Sequence, residues 1–320
     1  MKVYGVNNIP NDKPVLLLAN HQNALLDALL IAGNSKRFAY FLTRAAVFKK
    51  SLVSRILMSL QMLPVYRIRD GWNTIANNNA IFDNCTELLA NNEAVVIFPE
   101  GSHNLVRRVR PLSKGFTRIV FDALEKYPNL DLKLIPVGLN FVAPTSCPDS
   151  TAIYFGQPIN AQDFIRENRA EGVKDLKLTM HAKIAELTTH IPEEDYEQQL
   201  QILLDKNVDL LDPYKTNSCL TSNFKHCNER EPTKNNVARR LLRFLLIIAL
   251  IVPYLVWRLV VKPKVKEPEF ISTFRFAVAL TLVPAYIIVV AVWIAYLFGF
   301  GIGLLSIATI LLLTFVATRI

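Results

Sequence analysis

Val15-Leu16-Leu17-Leu18-Ala19-Asn20-His21-Gln22-Asn23-Ala24-Leu25-Leu26-Asp27 runs from a continuous apolar pentapeptide through a polar turn into a second apolar segment. The unbroken run Val15 to Ala19 predicts a strand buried on both faces, and Ala24 to Ile31 predicts a helix with Asn23 as its N-cap. His21 then stands on the strand-to-helix turn, with its ring exposed and its backbone held. Asp27 lies about one turn into the helix, so its carboxylate can reach back and hold one ring nitrogen. The other nitrogen is left to take a proton, and a helix N-terminus keeps the imidazole neutral for that task.

Outward from this stretch the amino-terminal part alternates strands and helices. Further strands are predicted at Phe38 to Thr43, Pro64 to Tyr66, Ala94 to Phe98, Lys133 to Phe141 and Ala152 to Phe155. Helices are predicted at Ala46 to Leu60, Trp72 to Ala90 and Gly115 to Lys126, with a charged helical cover over residues 161–212. This order predicts an α/β fold, a mixed and mostly parallel sheet flanked by helices. In such sheets ligands bind beyond the carboxyl ends of strands, where His21, Arg67 and Glu100 all stand.

Four blocks occur in sequence: Asn20 to Asp27, Leu63-Pro64-Val65-Tyr66-Arg67, Val95-Val96-Ile97-Phe98-Pro99-Glu100-Gly101-Ser102, and Leu134-Ile135-Pro136-Val137-Gly138. Together they resemble the blocks of the glycerolipid acyltransferases, which acylate glycerol-3-phosphate and lysophosphatidic acid, over residues 1 to about 210. The commonest family form places four residues between histidine and aspartate, whereas this chain has five. The extra residue can be absorbed in the turn, and it tilts acceptor choice toward glycerol-3-phosphate.

The resemblance implies transfer of an acyl group from acyl-CoA or acyl-carrier protein to a hydroxyl of a glycerol-3-phosphate-type acceptor. His21 is the implied base and Asp27 its orienting partner. Arg67 is implied to clamp the acceptor phosphate, with Arg69 beside it, and Glu100 and Gly101 to bind the acceptor glycerol. Ser102 follows them, but no G-x-S-x-G elbow surrounds it, so it is not read as a nucleophile. Thr43 and Arg44 follow another strand, and Lys114 precedes a helix whose N-terminus can hold phosphate. Arg107, Arg108 and Arg110 form a basic cluster that reads as a solvated loop, with attraction of anionic lipid or of the donor's phosphates as the other reading. Two other readings use the same residues: a phospholipid–lysophospholipid transacylase, and a non-catalytic lipid-binding membrane protein.

Composition sets the surroundings. Of 320 residues, 51% are hydrophobic, yet the net charge is +9. No nucleic-acid recognition pattern accompanies the charge, so a membrane surface and phosphate-bearing substrates are the expected partners. No metal or cofactor motif is present. The four scattered cysteines read as free thiols, and the amino terminus carries no signal-peptide pattern, so the catalytic part is expected in the cytosol.

Three regions are expected: an acyltransferase domain over 1–211, a polar linker over 212–240 and a membrane anchor over 241–320. Within the anchor, Phe276 to Phe298 and Ile302 to Ala317 form a helical hairpin, with Gly299-Phe300-Gly301 as its turn. Residues 241–261 carry arginines near both ends and Pro253 within, and basic residues flank them on both sides. The positive-inside rule therefore favours a re-entrant or interfacial segment over a third span. The stretch Phe48 to Leu60 places Phe48, Leu52, Ile56 and Leu60 on one helical face beside basic residues. That face packs on the sheet or lies against a bilayer.

Overall fold

All five side chains of Val15–Ala19 are buried, because this strand is hydrogen-bonded on both edges and covered on both faces. The computed structural model describes residues 1–66, 78–227 and 237–319. Contacts divide the chain into two units, Met1–Ala143 with Ser150–Arg230, and Pro144–Asp149 with Glu231–Ile320.

The first unit is built on eight strands: β1 (Lys2–Tyr4), β2 (Val15–Ala19), β3 (Tyr40–Arg44), β4 (Met62–Val65), β5 (Ala94–Ile97), β6 (Lys133–Phe141), β7 (Thr151–Phe155) and β8 (Ile159–Asn160). Their order is β1-β7-β6-β2-β5-β3-β4, with β8 also on β6. The five strands β6, β2, β5, β3 and β4 are mutually parallel, and β7 and β8 run antiparallel to β6. Strand β1 was not foreseen from sequence; it is three residues long and only its central side chain is even half-buried.

The helices of this unit are α1 (Ala24–Asn34), α2 (Ser51–Ser59), α3 (Asn78–Ala90), α4 (Gly115–Lys126), α5 (Arg169–Glu186), α6 (Tyr196–Asp205) and α7 (Pro213–Thr221). Side chains along β2 alternate between two cores, as the period-two geometry of a strand requires. Leu16 and Leu18 join Phe82, Phe116, Ile119 and Leu176 from α3, α4 and α5. Val15, Leu17 and Ala19 join Ile31 of α1 on the other face, where Phe48 and Leu57 also pack. The sheet is thus the middle of three layers.

Three expectations need correction. The stretch Ala46 to Leu60 is not one helix: a 3-10 turn, Ala45–Phe48, precedes α2, and extended Lys50 separates them. The polar linker does not begin at 212, because α7 buries Pro213, Thr216 and Cys219. Cys219 packs with Ile191, Leu203, Val208 and Leu210, so the first unit continues well past residue 211. Finally, Cys219 and Cys227 are joined by a disulfide and are not free thiols, while Cys85 is free and buried and Cys147 free and exposed.

The second unit holds α8 (Val237–Ala249), α9 (Ile251–Leu255), α10 (Ile271–Phe298) and α11 (Phe300–Arg319). Two stretches, Pro268–Phe298 and Phe300–Ala317, are long and apolar enough to cross a membrane. Gly299, at φ 96°, makes the turn between them. Gly303 is a packing residue: a Cβ there would stand 2.6 Å from the Ala295 Cβ, so α10 and α11 touch where both residues are small. The chain bends by 95° between Arg240–Ala249 and Ile251–Lys264.

Candidate active site

The turn after β2 is tied down at every residue. Asn20 donates its side-chain amide to the Leu139 carbonyl at 3.0 Å and accepts from the Leu139 N–H at 2.7 Å. It thereby extends the β2–β6 ladder by one side chain. The His21 N–H donates to Glu100 Oε1 at 3.3 Å, and the His21 carbonyl accepts from the Asn104 N–H at 3.0 Å. Gln22 donates its side-chain amide to the Val106 carbonyl. The backbone carrying the imidazole is therefore locked to β6 and to the loop after β5.

Asp27 is wholly buried, and its Oδ2 stands 2.8 Å from His21 Nδ1. The same oxygen accepts the N–H groups of Gln22 at 2.8 Å and Asn23 at 2.7 Å. Asp27 thus ties the turn before α1 back onto the helix, while the side chain of the N-cap residue Asn23 makes no capping bond. An oxygen that accepts from two backbone donors acts as an acceptor toward the ring as well, which places the proton on His21 Nδ1. Nε2 is then the acceptor nitrogen, on a side chain 13% exposed. The Phe98 ring stacks on the imidazole at 4.1 Å between centroids, and the His103 ring meets it edge-on at 5.6 Å. The six-residue separation of the pair is absorbed at Ala24, whose φ of 42° is left-handed.

Glu100 and Gly101 follow β5, the strand beside β2, and Gly101 turns the chain with φ 72°. Arg110 donates Nε to Glu100 Oε2 at 2.7 Å and Nη1 to the Ser102 hydroxyl at 2.7 Å. Burial pushes the Glu100 carboxyl above its usual range, against the pull of the Arg110 guanidinium and the His21 N–H. The expected solvated basic loop is therefore corrected. Arg107 is buried and donates to the carbonyls of Phe141 and Val142, Arg108 pairs with Glu193, and Arg110 holds the Glu100 turn.

The structure thus gathers His21, Asp27, Glu100, Gly101 and Ser102 into one network, and adds Asn20 and Arg110, to which sequence reading gave no such role. An asparagine directly after a buried strand was the available signal for Asn20. Arg110 lies ten residues beyond its partner in an irregular loop and left none. Thr43 and Arg44 stand at the carboxyl end of β3, with Arg44 exposed. Lys114 instead lines a separate groove of about 740 Å³ with Arg118, Arg169, Lys174 and Lys177. Arg67 and Arg69 lie outside the described residues.

The mixed sheet thus sets a histidine–carboxylate pair at one strand end against a glutamate turn on the next strand. Residues 1–140 match the family model described as Acyltransferase. It is 26% identical over 118 residues to Glycerol-3-phosphate O-acyltransferase 1 of Saccharomyces cerevisiae, covering 35% of this chain and 16% of that protein. It is 21% identical over 127 residues to an uncharacterised acyltransferase of Schizosaccharomyces pombe, covering 38% of this chain and 18% of that one. The chain therefore spans under a fifth of the length of these curated relatives. Among solved structures, the 1-acyl-sn-glycerophosphate acyltransferase of Thermotoga maritima aligns with a TM-score of 0.40 and 20% identity, over 57% of this chain and 70% of that one.

Proposed function

We propose that this protein is a membrane-bound acyltransferase that moves a fatty acyl group from acyl-CoA or acyl-carrier protein to a hydroxyl of glycerol-3-phosphate or 1-acyl-glycerol-3-phosphate. The observation that carries the reading is the 2.8 Å contact of His21 Nδ1 with buried Asp27, which leaves Nε2 as a base. A hydroxyl is a poor nucleophile at neutral pH and must lose its proton as it attacks. In the proposed step, Nε2 takes that proton while the hydroxyl oxygen bonds to the thioester carbonyl carbon. Asp27 stabilises the imidazolium that forms. The tetrahedral intermediate then collapses, the carbon–sulfur bond breaks, and the His21 imidazolium returns its proton to the departing sulfur, releasing the thiol and restoring the base. The Glu100–Gly101–Ser102 turn, braced by Arg110, receives the acceptor's glycerol, and Arg67 its phosphate.

Helices α10 and α11 serve as the membrane hairpin, and the bent pair before them as a re-entrant or interfacial segment. Its basic residues, Arg239, Arg240 and Arg243 toward its start and Lys262, Lys264, Lys266 and Arg275 toward and beyond its end, support a reading in which both ends and the catalytic domain face the cytosol. The Cys219–Cys227 bond argues the other way, since stable disulfides belong to oxidising compartments. We give the flanks precedence, because seven cations orient a membrane segment directly, whereas one short-range pair of thiols does not. The test of function is thiol release from acyl-CoA, and acyl transfer from acyl-carrier protein, across a panel of glycerol-3-phosphate, dihydroxyacetone phosphate and lysophosphatidic acid. Acceptor-dependent release that His21→Ala abolishes is expected; release indifferent to every acceptor, or unchanged in the variant, overturns the reading.

A further inference from the structure

Helix α2 is held to the sheet by few of its apolar side chains. Leu57, with Phe48 from the preceding turn, packs into the core beneath, and Ser54 is half-buried between them. The remaining apolar residues point to solvent: Leu52 is 62% exposed, Ile56 51%, Met58 57% and Leu60 49%, with Val47 and Val53 also exposed. Leu52, Val53, Ile56 and Leu60 fall on one side of the helix. Of the two packings open to this face from sequence, the sheet accounts only for the opposite side. A contiguous patch of this kind marks a surface that another phase or molecule covers.

The chemistry around the patch selects the occupant. Lys49, Lys50 and Arg55 are exposed beside it, and residues 28–69 contain no aspartate or glutamate. A second copy of the helix would set these cations against their own counterparts, with no carboxylate in the same stretch of chain to offset them. An anionic bilayer surface satisfies both features, taking apolar side chains below the headgroups and cations among them. The chain also brings its own bilayer, through two helices of membrane-crossing length.

Position gives the contact a purpose. Strand β3 runs parallel to β5 and ends at Arg44, so the turn Ala45–Phe48 and the start of α2 lie at the carboxyl edge of the sheet, the edge that carries His21 and Glu100. We propose that α2, which starts beside the His21 edge and returns toward the amino end of β4, is an interfacial helix that docks this flank of the domain on anionic lipid, so that acyl-bearing substrates reach His21 without leaving the membrane. The docking rests on the membrane reading above; its link to catalysis rests on the acyltransferase reading.

The test uses the full chain in vesicles with a fluorescent probe on a single introduced cysteine, in a Cys147→Ser background. Ile56→Cys is compared with Leu178→Cys, a similarly exposed site on α5. In vesicles with about 30 mol% anionic lipid, the probe on the α2 variant is expected to shift to the blue. Lipid-borne quencher should quench it at least about threefold more than the probe on the α5 variant. Lys49→Glu with Lys50→Glu, high salt or purely zwitterionic vesicles should each remove most of that difference. Equal quenching at both sites overturns the proposal, and so does disulfide cross-linking between two copies of the Ile56→Cys variant without lipid quenching. Because the probe reads contact and not turnover, an inactive enzyme that still docks separates failure of the acyltransferase reading from failure of this one.

Discussion

At the scale of single residues the site depends on a few polar atoms held by buried backbone. His21→Ala is expected to lower acyl transfer by roughly a hundred- to ten-thousandfold, the usual contribution of a positioned base, with little change in melting temperature. Asp27→Asn should fall in the same range. An amide cannot stabilise the imidazolium, and it also loses the charge that accepts from Gln22 and Asn23; steady-state rates with thermal melts separate the two effects. Arg110→Met strands the Glu100 carboxylate in a site where its side chain is 3% exposed. Breaking such a pair costs about 3 kcal/mol, read as a lowered denaturant midpoint. The double variant Glu100→Gln with Arg110→Met should recover much of that stability while staying weak in acceptor binding. Recovery of stability without any defect in acceptor KM would make the pair structural only.

At the scale of elements, what was legible followed how each element achieves its burial. Strands β2 and β5 are continuous apolar runs and β6 a longer, mostly apolar one, and all three were read almost to the residue, as was α4. Helix α7 was missed because it is buried through Thr216 and Cys219 and not through an apolar stripe. The break before α2 was missed because Lys49 and Lys50 fit a helical pattern, while the end of β3 forces a tight turn first. Within the site, the His21–Asp27 pair was legible because both partners lie on one local turn. Arg110 was not, because only the folded loop brings it to Glu100.

The same loop carries a pH dependence. His190 Nδ1 accepts the Val109 N–H at 3.1 Å, which requires a neutral ring. Burial, then the charges of His181 and Arg108, push its pKa down to about 4. Unfolded, the ring titrates near 6.5. Above that value neither state binds the proton, so stability does not depend on this group. As pH falls from about 6.5 toward 4 the unfolded chain gains a proton that the folded one excludes, and stability drops by at most about 1.4 kcal/mol per unit. Below about 4 the slope vanishes. His190→Gln keeps an acceptor for Val109 without a titrating ring, so melts between pH 7 and pH 4 should lose this part of the slope. An unchanged slope would assign the acid sensitivity to other groups.

At the scale of the whole molecule, the question is where the catalytic unit ends. The polar composition after Asp212 invites a cut there, but the side chains argue for a later one. Asn217 donates to the carbonyls of Ala185 and Thr188 and accepts from the His190 N–H. Thr216 donates to the carbonyls of Asp209 and Asp212, and the Tyr154 hydroxyl donates to the Leu211 carbonyl. Ending the chain at 211 would expose the cluster around Ile191 and Leu203 and leave the His190 segment without its clamp. A fragment ending after Cys227 keeps all of these contacts and both cysteines, and sheds every helix of membrane-crossing length among the described residues. The 1–227 fragment is therefore expected to melt cooperatively and to acylate a soluble acceptor. The 1–211 fragment should be less stable by several kcal/mol, since it loses buried apolar contacts and hydrogen bonds together. Equal melting temperatures for the two fragments would show that α7 contributes nothing to the fold, and would return the boundary to residue 211.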